Sequence, residues 1–361
     1  RGTGKTTMIV QHIAQKYGNS DEALYIAGDH PEVLTTGLYK IADQHFKFGG
    51  KLLCIDEIHR FPNWSQVLKS IIDVWKNKQI IVSGSSSAAL HIGKGDLSRR
   101  VLFYKLHGLS FREYLNMQLK ASFKSLTLND ILANHLEYSG KIIGEIEVLK
   151  HFQDYLKFGF YPFFLEGSDD FKMKMDNIID KIITSDIPQI YNITPGKTVV
   201  LKKLLWIIAS SEPFSPNISR LAKDLRVSRE SIYNYLEYLT KAGLIMSVHH
   251  GGKGLRSERK PEKVYLDNTN LLDVLSSARG RQQMRGTVRE TFFANQVRAE
   301  HQITIPSQGD FAVDGKFLFE IGGKNKSSGQ LPEGKDSFYV LDSVETGFRQ
   351  KMPLYLFGFL Y

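Results

Sequence analysis

Arg1-Gly-Thr-Gly-Lys-Thr-Thr7 opens the chain and runs into Met8, Ile9, His12 and Ile13 at helical spacing. This is the second half of the pattern G-x-x-x-x-G-K-[ST], a glycine-rich turn leading into a helix N-terminus. Glycine at positions 2 and 4 lets backbone N–H groups curl around phosphate oxygens where a Cβ would collide. Lys5 is expected to reach the β and γ phosphates and Thr6 to place its hydroxyl on Mg²⁺, with the positive end of the helix dipole behind them. The first glycine of the pattern and the strand before it are missing, and the chain starts without Met, so it is expected to be a fragment with a shortened core.

The next informative stretch is Lys51-Leu-Leu-Cys-Ile-Asp-Glu57, a short apolar strand ending in two carboxylates. A parallel sheet presents charges at that C-terminal edge. Asp56 is expected to hold Mg²⁺ through water, and Glu57 to orient and polarise the attacking water. The alternative, a buried strand ending in a solvated acidic pair, loses weight with the phosphate-binding half-motif upstream. A third apolar strand, Gln79-Ile-Ile-Val-Ser83, leads into Gly84-Ser-Ser-Ser87, making Ser83 or Ser85 a candidate γ-phosphate sensor. Arg99-Arg100 precedes Val101-Leu-Phe-Tyr104, and an arginine there can reach the phosphates of a neighbouring subunit in a homo-oligomer; a solvated basic pair is the alternative. The expected nucleotide-binding set is Gly2, Thr3, Gly4, Lys5, Thr6, Thr7, Asp56 and Ser83, with Thr6 and Asp56 on Mg²⁺ and Lys5, Glu57 and Arg100 in catalysis of ATP hydrolysis.

A chain of 361 residues exceeds what one core normally organises, so two to four domains are expected. Its longest apolar runs fall far short of the roughly 20 residues that cross a bilayer, which argues against a membrane partner. The single cysteine, Cys54, excludes a disulfide framework and a cysteine zinc site, and fits a reducing cytoplasm. A formal net charge of +9 is compatible with a polyanionic partner such as DNA, because clustered cations gain from counterion release. Many soluble proteins are this basic without binding nucleic acid.

With those residues in place, the chain resembles a large group of prokaryotic AAA-type P-loop ATPases that couple this core to a winged helix and a C-terminal restriction-endonuclease-like domain of unknown function. The stretches that carry the resemblance are Arg1 to Thr7, Cys54-Ile-Asp-Glu-Ile-His-Arg-Phe-Pro-Asn-Trp64, Ser83-Gly-Ser-Ser-Ser87, Arg99-Arg-Val with Leu109-Ser-Phe-Arg-Glu-Tyr114, and Glu320-Ile-Gly-Gly-Lys324. The Asp-Glu-Ile-His-Arg-Phe-Pro-Asn-Trp segment is the most specific of them. In the family a Gly-Arg pair stands where this chain has Arg99-Arg100, so the resemblance maps the family's arginine onto Arg100 and departs from it at Arg99. It implies an α/β fold in which residues 1–115 form the AAA-type core, 116–195 a helical lid, 196–268 a winged helix and 269–361 the restriction-endonuclease-like α+β domain, with ATP and Mg²⁺ as ligands.

The remaining sequence fits that division. Amphipathic stretches between Asn116 and Thr194 include Val148 to Phe158, broken at Gly159-Phe-Tyr-Pro162, and the aromatic cluster Phe158, Phe160, Tyr161, Phe163 and Phe164 reads as core. Ile218 to Leu225 and Ser231 to Ala242 read as two helices around a Val227-Ser228 turn, followed by strands Leu244–Val248 and Lys263–Leu266. Lys253, Arg256, Arg259 and Lys260 between the strands, with Ser228, Arg229 and Ser231 at the helix start, are placed for DNA; Glu230 and Glu237 on the same helix argue the other way. Farther on, Asp310 and Glu320 fit the metal-binding carboxylates of a D…E-x-K nuclease. Gly322 occupies the lysine position, and the nearest lysine, Lys324, sits about 7 Å farther along at roughly 3.3 Å per residue unless the two glycines bulge. The leading expectation is therefore Mg²⁺-dependent ATP hydrolysis with nuclease activity absent; the alternatives are an ATP-switched DNA- or protein-binding adaptor and an ATP-controlled, metal-dependent DNase.

Overall fold

The computed structural model describes residues 2–84, 97, 99–167, 169–213, 215–251, 260–277, 284–326, 329–332, 334 and 336–361. The chain divides into two compact units, Arg1–Leu106 and His107–Tyr361.

In the first unit, helix α1 (Lys5–Tyr17) follows the glycine turn, then come β1 (Ala23–Ala27), α2 (Pro31–Thr36), α3 (Leu38–Lys47), β2 (Leu52–Asp56), α4 (Trp64–Val74) and β3 (Gln79–Val82). The strands form a parallel sheet in the order β1-β2-β3, with Ala27 paired to Asp56 and Ile55 to Val82. Side chains alternate across a strand, so each face collects every second residue. Leu52, Cys54, Ala23, Tyr25 and Ile81 pack with Ile9 and Ile13 of α1. Leu53, Ile55, Leu24, Ile26, Ile80 and Val82 pack on the other side with Leu38, Ala42 and Phe46 of α3 and Leu68 and Ile71 of α4. Because both faces are covered, β2 is buried along its whole length, which is why Leu52–Ile55 reads as a continuous apolar run. The parallel direction brings the ends of β1, β2 and β3 to one edge of the sheet.

The second unit continues with α5 (Phe111–Leu119) and α6 (Leu128–Glu145), each opened by a capping box, Ser110 with Glu113 and Thr127 with Asp130. Next come α7 (Val148–Asp154), a π-turn at Tyr155–Gly159, a 3₁₀ turn at Pro162–Glu166, α8 (Phe171–Lys181), a second π-turn at Ile182–Asp186, α9 (Ile187–Tyr191) and α10 (Pro195–Ala209). Helices α11 (Ile218–Leu225) and α12 (Arg229–Lys241) follow, joined by a short turn in which Ser228 caps α12 by accepting from the Ser231 N–H at 3.1 Å. Strands β4 (Ile245–Val248) and β5 (Lys263–Leu266) pair antiparallel. The end of the chain holds α13 (Thr269–Ser277), α14 (Arg285–Val297), β6 (Ile303–Thr304), β7 (Phe311–Val313), β8 (Phe317–Gly323), β9 (Ser337–Asp342) and β10 (Lys351–Pro353). These last five strands form one mixed sheet in the order β10-β9-β8-β7-β6, parallel from β10 to β8 and antiparallel from β8 to β6.

One hydrophobic core runs through this unit, from Phe111 and Phe152 through Leu236 and Leu271 to Phe292 and Phe359. The segment 116–195, expected from sequence as a lid, is built into that core. Phe152 meets Phe292 at 4.8 Å between ring centroids, and Phe111 meets Phe359 at 5.9 Å. Segments 116–195, 196–268 and 269–361 thus share one apolar interior, and the boundary between units falls after Leu106, ahead of the expected 115. Phe160, Tyr161 and Phe164 are buried, in keeping with their reading as core.

Candidate nucleotide site and a second charged cluster

Gly2 and Gly4 both adopt positive φ, 75° and 83°, in the region that costs a side chain energy. Gly4 caps α1 in the left-handed conformation, and Lys5 Nζ donates to Thr3 Oγ1 at 3.3 Å. Thr6 lies in the first turn of α1, and its hydroxyl donates to Asp56 Oδ2 at 2.5 Å, joining the helix start to the end of β2. Thr7, one residue on, is exposed.

Asp56 is the point on which the strand ends converge. Tyr25 on β1 donates its hydroxyl to Oδ2 at 3.0 Å, Ser83 just after β3 donates to Oδ1, and the Glu57 N–H donates to Oδ1 at 3.0 Å. Burial alone would push the Asp56 carboxyl up, but the bonds from Ser83, Thr6, Tyr25 and the Glu57 amide outweigh it and hold the group below the usual aspartate value. The Tyr25 hydroxyl is pushed up to about 12, first by burial and then by its bond to the carboxylate. Ser83, expected as a phosphate sensor, is thus placed as a partner of Asp56. Ser85 lies outside the described residues.

Glu57 leaves the strand in a left-handed conformation, φ 50° and ψ 38°, which turns the chain into the 3₁₀ segment Ile58–Arg60. Its Oε2 lies 3.6 Å from His59 Nε2 and 3.7 Å from Arg60 Nε, and Arg60 Nη1 donates to Asp29 Oδ2 at 2.9 Å. Gly28 beside Asp29 packs directly on this turn: a Cβ there would stand 3.0 Å from the Glu57 carbonyl oxygen and 3.1 Å from Ile58 Cα. Arg100 is paired within its own unit, its guanidinium donating to both oxygens of Asp73 at 2.6 and 3.2 Å.

Tyr25, Asp29 and the Arg60 link escaped the sequence reading. A tyrosine two residues before the end of a strand next to an acidic strand was a usable signal for Tyr25; the Asp29–Arg60 pairing had none.

The second unit holds a separate charged cluster. Asp310 precedes β7 and its Oδ2 accepts from the Ile321 N–H at 2.8 Å, so it lies across the pair from Glu320 on β8. Each carboxylate faces an ammonium group. Lys263 Nζ from β5 is 3.2 Å from Glu290 Oε2 and 3.7 Å from Asp310 Oδ1, while Lys326 Nζ is 2.6 Å from Glu320 Oε1. The Tyr265 hydroxyl donates to Glu290 at 2.8 Å. Burial pushes the Glu290 carboxyl up, Asp310 adds to the shift, and Lys263 opposes it.

Lys324, expected as the lysine of this cluster, is exposed, and the structure puts Lys326 in its place. The turn closed by Lys326 N–H donating to the Gly323 carbonyl at 2.9 Å folds the chain back. A Cβ on Gly322 would stand 2.7 Å from Lys326 Cβ and Cγ, so the glycine leaves room for a lysine arriving from four residues on. Among the described residues, no three His, Cys, Asp or Glu side chains are grouped to hold a metal ion.

Residues 1–115 match the family model of an AAA domain. Residues 149–282 match a domain of unknown function, DUF8612. The chain is 27% identical over 278 residues to the uncharacterized protein MJ1637 of Methanocaldococcus jannaschii, covering 73% of this chain and 58% of that one. It is 27% identical over 261 residues to the uncharacterized protein MJ1544 of the same organism, covering 69% and 55%. The chain therefore spans less than three fifths of the length of either relative. Among solved structures it is similar to the Walker-type ATPase PABY2304 of Pyrococcus abyssi, at 12% identity and a TM-score of 0.42 over 76% of this chain and 88% of that one. No described helix is long and apolar enough to cross a membrane.

Proposed function

We propose that this protein is a Mg²⁺-dependent ATPase whose N-terminal AAA-type domain binds and hydrolyses ATP. The observation that carries this reading is the convergence of Thr6, Tyr25 and Ser83 on Asp56, which brings the glycine turn and three strand ends to one carboxylate held ionised. Gly2, Thr3, Gly4 and Thr7 form the phosphate cradle at the start of α1, and Lys5 supplies the cation for the β and γ phosphates. Thr6 and Asp56, already joined, would hold Mg²⁺, which when bound neutralises phosphate charge. Glu57 orients and polarises the attacking water. Phosphate release by the full-length gene product, measured with and without DNA, tests the reading; an absence of release together with an absence of ATP binding would sink it.

The helix pair α11–α12 with the β4–β5 hairpin supports a winged helix, read here as a DNA contact. Arg229 and Lys260 are exposed there; Lys253, Arg256 and Arg259 lie outside the described residues. Replacing Lys253, Arg256, Arg259 and Lys260 with alanine is expected to lower DNA affinity and to flatten the logarithmic salt dependence by up to about 0.9 per lost phosphate contact. An unchanged slope in a filter-binding titration would remove the hairpin from DNA recognition. Arg100 acts on the nucleotide of a neighbouring subunit in a homo-oligomer by exchanging Asp73 for phosphate.

The β6–β10 sheet with α14 supports a restriction-endonuclease-like unit that no longer cuts. Lys263 stands between Glu290 and Asp310, where a divalent cation would compete with an ammonium already in place. Supercoiled plasmid incubated with the protein and Mg²⁺ or Mn²⁺ is expected to stay intact. Nicking that Asp310→Ala and Glu320→Ala both abolish would overturn this.

A further inference from the structure

We propose that Arg60, tethered by Asp29, is a positioning residue for Glu57, an inference that rests on the ATPase reading above. The segment Asp56-Glu-Ile-His-Arg60 is the most specific in the sequence, yet the nucleotide site uses only its first two residues. The next three form the 3₁₀ turn: Ile58 is fully buried and anchors it, and the Arg60 N–H donates to the Glu57 carbonyl at 2.9 Å. The turn therefore fixes where the Arg60 side chain starts. Its Nη1 is held by Asp29, and Asp29 follows Gly28, whose close packing on the Glu57–Ile58 backbone fixes the end of β1 against the turn.

Arg60 Nε is buried and makes no hydrogen bond, with Glu57 Oε2 3.7 Å away, just beyond bonding reach. A buried N–H without an acceptor costs stability, and such groups call for an explanation of their own. Here the donor sits beside the carboxylate that handles water, and a shift of a few tenths of an ångström would make the bond. His59 Nε2 approaches the same oxygen at 3.6 Å. Both side chains of the turn thus stand beside Oε2.

The test is a set of substitutions in the full-length protein, read by kcat, KM and the affinity of a fluorescent ATP analogue. Arg60→Ala is expected to lower kcat about 10-fold, as a misplaced catalytic group does, with analogue affinity changed less than about 2-fold. Asp29→Ala should fall in the same direction, the double variant should be no slower than Arg60→Ala, and Arg60→Lys should lie between. In a Glu57→Gln background, Arg60→Ala should have no further effect, because Arg60 acts through that carboxylate. A wild-type kcat for Arg60→Ala, a full additional loss in the Glu57→Gln background, or a loss of analogue affinity matching the loss of kcat would each overturn the proposal. A parent protein without hydrolysis would instead refute the ATPase reading and this inference with it.

Discussion

Glu57→Gln is expected to bind ATP as the parent does and to turn it over at least ~10²-fold more slowly, the scale on which a general base or water-orienting carboxylate acts. Glutamine preserves the shape of the side chain and can occupy the same left-handed backbone position, φ 50° and ψ 38°. It removes the negative charge, which matters only as the water becomes a nucleophile, so the loss falls on the transition state. The bonds from Thr6, Tyr25 and Ser83 all end on Asp56, which the substitution leaves unchanged. Single-turnover phosphate release and analogue binding on the same preparation separate the two effects. Hydrolysis at the parental rate would remove Glu57 from the role, and a matching loss of binding would make it part of the cradle.

What could be read from sequence follows the range of the interactions involved. Lys51–Glu57 announced a buried strand with carboxylates at its end because strand burial and strand direction are written in consecutive residues. The same holds for α11, the Ser228 cap, α12 and β4–β5, whose periodicity and capping are local. Tyr25 left only the signal of its place near a strand end and the Asp29–Arg60 pairing left none, because each partner is 31 residues away in the chain.

The lysine of the charged cluster was misplaced for a different reason. At roughly 3.3 Å per residue an extended chain carries Lys326 farther from Glu320 than Lys324, and only the turn at Gly323 reverses that order. The contact among segments 116–195, 196–268 and 269–361 was not legible either: each has its own secondary structure, yet their apolar faces meet in one core, which no local pattern records.

That shared core gives the second large effect. Asn270→Ala is expected to destabilise the second unit by about 3 kcal/mol or more, because three buried backbone groups would lose their partners at about 1–3 kcal/mol each. The Tyr155–Gly159 π-turn displaces the helical bonding pattern and leaves carbonyls facing the interior. Asn270, fully buried on α13, supplies what is missing: its Nδ2 donates to the Tyr155 and Leu156 carbonyls at 2.9 and 3.1 Å, and its Oδ1 accepts from the Phe160 N–H at 2.8 Å. One amide thus carries both donor and acceptor functions, which neither alanine nor aspartate reproduces. Asn270→Asp should be no milder, since it removes both donors and puts a charge where none is paired. Trp206 packs against this core, so its fluorescence, followed through a urea titration with Trp64 and Trp75 replaced by phenylalanine, reports the unfolding of this unit. A loss below about 1 kcal/mol would mean that water takes over these bonds, and that the turn is held by its aromatic packing instead.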